Sequence, residues 1–174
     1  PLGFTEEDLP RIAEEYDRLT EAYMERHRAG KGFFFFHFNM DLSNGPCVAK
    51  RLSGCGAGHE YFAVAENGDL YPCHQFVGRE KYKLGSIYEG VTNQELPQYF
   101  RESHVLNKEK CRDCWARFFC SGGCHDNADL FHGDIRKPYE VGCEIQKKRL
   151  ECAILVQALL TLEKQAKDDK SNQV

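Results

Sequence analysis

The chain has 174 residues, a formal charge of −4 and nine cysteines, so it can bury an ordinary core without disulfide support. Acidic and basic residues are interleaved, which argues against a nucleic-acid surface, and the apolar runs fall short of the roughly twenty residues that span a bilayer. The odd cysteine count and the lack of a secretory signal pattern predict a reducing, cytoplasmic location without nucleic-acid or membrane partners. In such a compartment, dense cysteines indicate metal or redox chemistry.

The first predicted element is an amphipathic helix. Thr5 and Asp8 form the pattern of a capping box, and apolar residues then recur at helical spacing up to Gly30. The next run, GFFFFHFNM, is apolar on both faces and predicts a strand buried in a parallel sheet. Because such a strand needs neighbours that the sequence does not supply, we expect the chain to be a piece of a longer polypeptide.

The middle of the chain predicts short strands. The segment YFAVAENGDLYPC predicts a hairpin from about Tyr61 to Tyr71, turning at Asn67-Gly68 through a two-residue loop with both residues at positive φ. A second strand pair is predicted around Tyr82 to Ile87, and the segment NQELPQYFRESHVL predicts a short helix.

The C-terminal part of the chain predicts one long helix. Apolar residues from Glu144 to about Lys164 form a broad face, and the polar tail KDDKSNQV is expected to fray. Together these elements predict an α+β fold class.

Four cysteines lie within fourteen residues, in the segment CRDCWARFFCSGGC from Cys111 to Cys124. Cysteines two residues apart can bind one corner of a metal centre, and Ser121-Gly122-Gly123 lets the backbone approach sulfur closely. A structural zinc module for protein binding would need only four thiolates. With the more distant cysteines, seven or eight thiols divide into two four-ligand sites. In two-cluster ferredoxins the last cysteine of a local run binds the other cluster, so cysteines of one run can serve both sites. A ferredoxin-like carrier is a further alternative.

The spacing of the cysteines as a whole resembles a known family. Cys55 is followed by Gly68 and Cys73, then by Cys111 with gaps of two, five and three residues to Cys124, and finally by Cys143. This pattern resembles the seven-cysteine motif of SPASM domains, the auxiliary-cluster domains of radical S-adenosylmethionine (SAM) enzymes that modify peptides and proteins.

A narrower resemblance is carried by the segments GPCVAKRLSGCGAGHEYFAVAENGDLYPCHQFVG and CRDCWARFFCSGGCHDNA. They are most similar to maturases of SCIFF peptides, the "six cysteines in forty-five residues" precursors. In that family a cysteine sulfur is joined to the α-carbon of another residue as a thioether, so the resemblance implies sactipeptide maturation of a ribosomally made peptide.

The resemblance implies two [4Fe–4S] clusters, one for substrate thiol binding and one for electron relay. The first would be held by Cys55, Cys73 and Cys124, and the second by Cys111, Cys114, Cys120 and Cys143. If Cys47 also binds, the first cluster is closed. If it does not, one iron is open to a substrate thiol.

The resemblance also implies a domain division. Residues 1–46 would be the remnant of a radical SAM partial (β/α) barrel, residues 47–145 the SPASM domain, and residues 146–174 the C-terminal helix and polar tail. The CxxxCxxC motif for SAM and a third [4Fe–4S] cluster is missing from the sequence, since Asn127 stands where a cysteine would follow Cys120 and Cys124. That motif is expected in a missing N-terminal domain, so this fragment should not be active alone.

The implied partners are a cysteine-rich precursor peptide, the N-terminal radical SAM barrel of the same polypeptide, and a flavodoxin or ferredoxin. The alternative is a SPASM domain of the sulfatase-maturing type. Those relatives carry an acidic residue just after the hairpin cysteine, and His74 at that position counts against their reaction.

The remaining candidate residues have structural interpretations. Cys152 is expected to be a buried structural thiol. Asp126 and Asp134 are expected on a solvated face. Three histidines beside cysteines are expected to hydrogen-bond cluster sulfurs rather than bind iron: His59, His74 and His125. Three aromatic residues are expected to shield the second cluster from water: Trp115, Phe118 and Phe119.

Overall fold

The structure is a computed structural model, and it describes residues 3–40 and 45–171. The chain forms two compact units: Pro1–Pro46 with Glu140–Val174, called the helical unit, and Cys47–Tyr139, called the cysteine-rich unit. Helices, a small antiparallel sheet and a long C-terminal helix confirm the predicted α+β class. Within the described ranges, no helix is long and apolar enough to cross a membrane.

The helical unit is built from α1 (Leu9–Arg28) and α7 (Glu140–Ser171). Helix α1 follows a single 3₁₀ turn, Glu6–Asp8, where the Thr5 backbone N–H donates to the Asp8 carboxylate over 2.8 Å as the capping-box pattern predicts. The buried core of this unit consists of Met24, Phe38, Cys152, Ala153 and Val156.

Polar contacts join α1 and the segment after it to α7. The Lys148 ammonium lies 2.6 Å from the Asp17 carboxylate, and the Gln157 amide donates to the Phe38 carbonyl over 2.7 Å. Cys152 is 2% exposed within the core, which confirms its prediction as a buried thiol.

Two sequence predictions in the helical unit are wrong. The phenylalanine run forms no strand within residues 31–40, and Phe34 and Phe36 are 75% and 65% exposed. The described residues provide no neighbouring parallel strand, so the ladder bonds that would define this strand cannot form. The tail is helical through Ser171 rather than frayed, because elongating an existing helix through lysine, alanine and glutamine costs little. Residues 172–174 lie outside the described residues.

The cysteine-rich unit contains short elements. Its helices are α2 (Val48–Arg51), α3 (Glu95–Glu102), α4 (Glu109–Arg112), α5 (Arg117–Cys120) and α6 (His125–His132). Its strands are β1 (Ala63–Val64), β2 (Asp69–Tyr71), β3 (Gly85–Ser86) and β4 (Gly90–Val91), which pair antiparallel in sequence order. Helix α3 confirms the predicted short helix, and β3 lies within the predicted second strand pair.

The hairpin prediction is confirmed, with Ala63 opposite Tyr71, but its turn differs from the predicted one. The Ala65 N–H donates to the Asp69 carbonyl over 2.9 Å, which closes a three-residue loop. Gly68 has a φ of 86°, whereas Asn67 does not have a positive φ. A three-residue loop ending in a left-handed glycine is a common alternative to the two-residue turn.

Aromatic side chains form the core of the cysteine-rich unit. The Phe76 ring centroid lies 4.4 Å from that of Tyr82 and 5.5 Å from that of Phe100, in edge-to-face geometry. The buried members of this core are Ala57, Tyr71, Cys73, Phe76, Tyr82, Phe100 and Ile135. Cys73 therefore lies at the edge of an aromatic core.

Candidate metal centre

Three cysteines from distant segments are brought together around the hairpin. Cys55 lies in the glycine-rich loop after α2, Cys73 follows β2, and Cys124 is the N-cap of α6. The Gly58 N–H donates to the Pro72 carbonyl over 3.0 Å, which ties the Cys55 loop to the residue before Cys73.

The same loop also contacts the segment that leads to Cys124. A Cβ atom added to Gly54 would lie 3.2 Å from the Ser121 carbonyl oxygen, and one added to Gly58 would lie 2.7 Å from the Phe100 ring. Glycine is therefore required at both positions for the loop to pack this closely.

The charges of these three thiols act on groups around the hairpin. Burial raises the pKa of the Cys73 thiol, and the nearby Cys124 thiol raises it further. Burial together with Cys73, Cys55 and Cys124 raises the pKa of Tyr61 to about 12. Tyr61 also forms a side-chain hydrogen bond with Cys73, so its phenol contacts one of the three thiols and lies within electrostatic range of the other two.

A second set of thiols lies in the compact segment from α4 to α5. The Cys114 N–H donates to the Cys111 carbonyl over 3.1 Å, and Cys120 is the last residue of α5. Burial raises the pKa of the Cys111 thiol, and the neighbouring Cys120 and Cys114 thiols raise it as well. These three sulfurs therefore lie within electrostatic range of one another.

The chain turns sharply between the two sets. Ser121, Gly122 and Gly123 have φ values of 62°, 85° and 74°, and Ser121 is the one non-glycine residue at positive φ in the described part of the chain. This left-handed run separates Cys120, which lies with the second set, from Cys124, which lies with the first.

The two remaining predicted ligands occupy different surroundings. Cys47 is exposed at the N-cap of α2. Cys143 lies on α7 in the helical unit and is half-buried. None of the nine cysteines, all of which the structure describes, forms a disulfide bond. No group of three or more Cys, His, Asp or Glu residues within 3–40 and 45–171 is arranged around one metal-ion position, so the ligand sets remain a prediction.

Buried polar groups beside the cysteines fit an anionic, sulfur-rich group. Within the described residues, the Ser121 hydroxyl and the Arg117 Nε are buried without a hydrogen-bond partner. Both are donors within three residues of Cys114 or Cys120, and cluster sulfurs accept such bonds. A buried cation, Lys108, also lies near Cys111, and its charge partly offsets the rise that burial causes in the pKa of that thiol.

His125 is 4% exposed, and its Nε2 lies 3.2 Å from the Ser103 carbonyl. Because a carbonyl can only accept, Nε2 carries the proton in this contact. Burial and the Lys108 charge lower the pKa of His125 to about 4, so its ring is neutral near pH 7.

Asp126 is a correction to the sequence prediction, because it is 4% exposed rather than on a solvated face. Its carboxylate lies 2.5 Å from the Arg79 guanidinium, which also lies 3.2 Å from the Asp129 carboxylate. Asp129 in turn accepts from the Tyr82 hydroxyl over 2.7 Å. These contacts fix α6, which begins after Cys124, to the segment that follows Cys73.

The other predicted residues are distributed as follows. Asp134 is half-buried and accepts from the Tyr99 hydroxyl over 2.9 Å. Trp115 is 50% exposed, and Phe118 and Phe119 are half-buried. The sequence did not identify Lys108, Tyr61 or Arg79. Lys108 is buried whereas Lys110, two residues later, is exposed, and the sequence offers no signal that separates the two lysines.

Comparison with known proteins agrees with this geometry. The family model "SPASM: Iron-sulfur cluster-binding domain" matches residues 55–115. An uncharacterised protein of Archaeoglobus fulgidus is 32% identical over 101 residues, covering 56% of this chain and 24% of that protein.

Two further relatives carry functional names. A serine-type anaerobic sulfatase-maturating enzyme of Bacteroides thetaiotaomicron is 31% identical over 105 residues, covering 55% of this chain and 24% of that enzyme. A cysteine-type anaerobic sulfatase-maturating enzyme of Clostridium novyi is 28% identical over 94 residues, covering 51% of this chain and 24% of that enzyme. The chain thus spans about a quarter of the length of these curated relatives. The chain contains a SPASM domain, an iron–sulfur cluster-binding domain.

Proposed function

We propose that this chain is the auxiliary-cluster part of a radical SAM maturase and that it holds two [4Fe–4S] clusters. The first cluster would be bound by Cys55, Cys73 and Cys124, and the second by Cys111, Cys114, Cys120 and Cys143. The observation that supports two centres is the position of Cys124, which neighbours the hairpin residues Cys73 and Tyr61 although Cys120 is only four residues away. A zinc module would instead gather four thiolates around one ion.

The proposed substrate is a cysteine-rich precursor peptide, in which the full-length enzyme joins a cysteine sulfur to an α-carbon. Bound clusters would supply electron transfer and, if Cys47 is not a ligand, an iron that removes the proton from a substrate thiol. Exposure of Cys55 and Cys124 supports access of a peptide to the first set. The sequence similarity to SCIFF maturases supports the thioether product.

A second candidate function is sulfatase maturation. Two relatives that match more than half of this chain are named as anaerobic sulfatase-maturating enzymes, which favours it. By the family resemblance, sulfatase-maturing proteins are expected to carry an acidic residue just after the hairpin cysteine, and His74 at this position favours the thioether reaction.

The remaining parts of the reaction belong to the rest of the proposed enzyme. An N-terminal radical SAM barrel would carry SAM and a third [4Fe–4S] cluster, and a flavodoxin or ferredoxin would supply electrons in the cytoplasm. This chain alone is then inactive, and its own residues serve to hold clusters, shield them and admit the peptide.

Anaerobic reconstitution of the chain tests cluster binding. We expect about eight iron and eight sulfide per chain, with the broad visible absorption of iron–sulfur clusters. Cys55→Ala and Cys111→Ala should each impair a different cluster, whereas Cys152→Ala should keep full iron content because Cys152 lies in the helical core. Bound zinc without sulfide would overturn the proposal, and Cys47→Ala shows whether the first cluster has an open iron.

The reaction is tested in the full-length enzyme with two peptides. A cysteine-rich precursor should lose two hydrogens and gain a thioether that alkylation of free thiols does not detect. A sulfatase peptide with an active-site serine or cysteine is the comparison. Modification of the sulfatase peptide alone would replace the first candidate function with the second.

A further inference from the structure

Lys108 is almost completely buried, with 1% of its surface exposed. Lysine is rarely buried to this degree unless its charge is compensated, because moving an ammonium out of water is costly. Lys108 therefore places a buried positive charge three residues before Cys111.

The contacts of Lys108 join the two loops that carry the four clustered cysteines. Its ammonium donates to the Gly122 carbonyl over 2.9 Å, within the turn between Cys120 and Cys124. Its backbone carbonyl accepts the Cys111 N–H over 2.9 Å at the start of α4. One residue thus fixes the position of Cys111 and of the left-handed turn at the same time.

Gly122 has a backbone conformation that favours glycine. Its φ is +85°, and a Cβ atom added there would lie 3.3 Å from a Val105 methyl group and 3.5 Å from the Lys108 Nζ. A side chain at this position would be strained, so glycine keeps the turn in the conformation in which its carbonyl accepts from Lys108.

The charge of Lys108 is opposite to that of thiolates and of an iron–sulfur cluster. At low local dielectric, an ammonium favours the ionised form of a nearby thiol and favours any anionic group bound there. Its ammonium contacts the turn that leads from Cys120 to Cys124, and its charge acts on the Cys111 thiol.

We propose that Lys108 is a counter-charge for the cluster held by Cys111, Cys114 and Cys120, and that it retains this cluster and raises its reduction potential. The inference rests on the proposed cluster-binding function. Lys108 acts through its charge and its hydrogen bond, so it is a positioning residue rather than a catalytic one.

Three variants of the full chain test this role. Lys108→Gln keeps a donor without the charge, Lys108→Arg keeps the charge, and Lys110→Gln removes an exposed charge from the same segment. Each is reconstituted anaerobically, and the measurements are iron per chain, the rate of iron loss to a chelator, and redox titration followed by electron paramagnetic resonance. Circular dichroism before reconstitution reports folding.

Lys108→Gln should lose iron about tenfold faster or more, the usual effect of changing a group that supports metal ligands. At least one cluster signal should shift to lower potential, because the reduced cluster has lost a stabilising positive charge. Lys108→Arg should restore both properties, and Lys110→Gln should match the wild type.

Unchanged potential and retention in Lys108→Gln would overturn the proposal. So would a Lys108→Arg variant as defective as Lys108→Gln, because the role would then be packing alone. A wild-type chain that takes up no iron and sulfide would instead overturn the proposed cluster-binding function, and this inference with it.

Discussion

The helical unit and the cysteine-rich unit are stabilised in different ways. The helical unit is built on helices of 20 and 32 residues that share an apolar core. The cysteine-rich unit has helices of four to eight residues and strands of two or three. Helices shorter than about 12 residues and isolated two-stranded hairpins are marginal in water.

The cysteine-rich unit therefore depends on contacts between elements rather than on the elements themselves. Its aromatic core and the Arg79 ion pairs provide some of these contacts. Cluster ligation would add the rest, since metal binding to such a site contributes directly to folding. The comparison shows that all predicted ligands except Cys143 lie in the unit where regular secondary structure contributes least.

The largest expected effect comes from removing iron. Chelation of the reconstituted chain should speed amide exchange across residues 47–139 by about 100-fold or more, as loss of a tightly bound ligand does. Exchange in α1 and in residues 150–160 of α7 should stay slow, because their core contains no predicted ligand. Hydrogen–deuterium exchange with mass spectrometry measures both regions in one sample. Equal loss of protection from exchange in both units would contradict the claim that only the cysteine-rich unit depends on cluster binding.

A matched pair of core substitutions sharpens the comparison. Phe100→Ala and Phe38→Ala each remove a ring that is 0% exposed, so each should cost about 3–5 kcal/mol of unfolding free energy in its own unit. Only Phe100→Ala should also lower iron uptake, because the Phe100 ring packs against Gly58 of the Cys55 loop and lies 5.3 Å from the His125 ring.

Urea unfolding and iron content after reconstitution measure these two effects. Reduced iron uptake by Phe38→Ala, or full uptake by Phe100→Ala, would contradict the expectation that only the core of the cysteine-rich unit supports iron binding.

Local patterns predicted much of the fold. Helical spacing identified α1 and α7, and Asn67-Gly68 identified the hairpin, because these signals depend on neighbours in sequence. The turn type was missed since a left-handed Gly68 fits both two-residue and three-residue loops. The strand predicted for the phenylalanine run was wrong, because a strand needs hydrogen-bonding partner strands that the local sequence does not reveal.

The candidate site was predictable only as a set of cysteines. Spacing identified the thiols, and the resemblance assigned them to two clusters. Lys108 was not identified and Asp126 was predicted on a solvated face, because the burial of both residues depends on how loops far apart in sequence pack. The assignment of all eight cysteines as ligands, including Cys47 and Cys143, remains a prediction.

A smaller effect is expected from the ion pairs that hold α6. Asp129→Asn removes the carboxylate partner of Arg79 and Lys81, and should cost about 2 kcal/mol of unfolding free energy. Burial alone would raise the pKa of Asp129, but hydrogen bonds from Lys81 and Tyr82 outweigh it and hold the pKa below its usual value.

A lowered pKa in the folded state fixes the direction of the pH dependence. The stabilisation by ionised Asp129 is complete above the unfolded-state pKa of about 3.9 and is lost as the pH falls through the lower folded-state value. The gap between wild type and Asp129→Asn in urea unfolding should therefore narrow below about pH 4. A constant gap from pH 7 to about pH 3 would contradict the role of this carboxylate. Asp17→Asn is the control, because the Asp17 side chain is 57% exposed and its pair with Lys148 should contribute less than about 1 kcal/mol.

The smallest effect is expected from an exposed ion pair between α1 and α7. Arg28 lies 2.8 Å from Glu163, but the two side chains are 53% and 30% exposed, so Arg28→Gln should cost less than about 1 kcal/mol. Arg18→Gln is the matched control, because Arg18 pairs with Glu15 of its own helix. Urea unfolding of the two variants should differ little, since apolar packing holds these helices together. A loss above about 2 kcal/mol for Arg28→Gln alone would mean that the helical unit, like the cysteine-rich unit, depends on polar contacts between its elements.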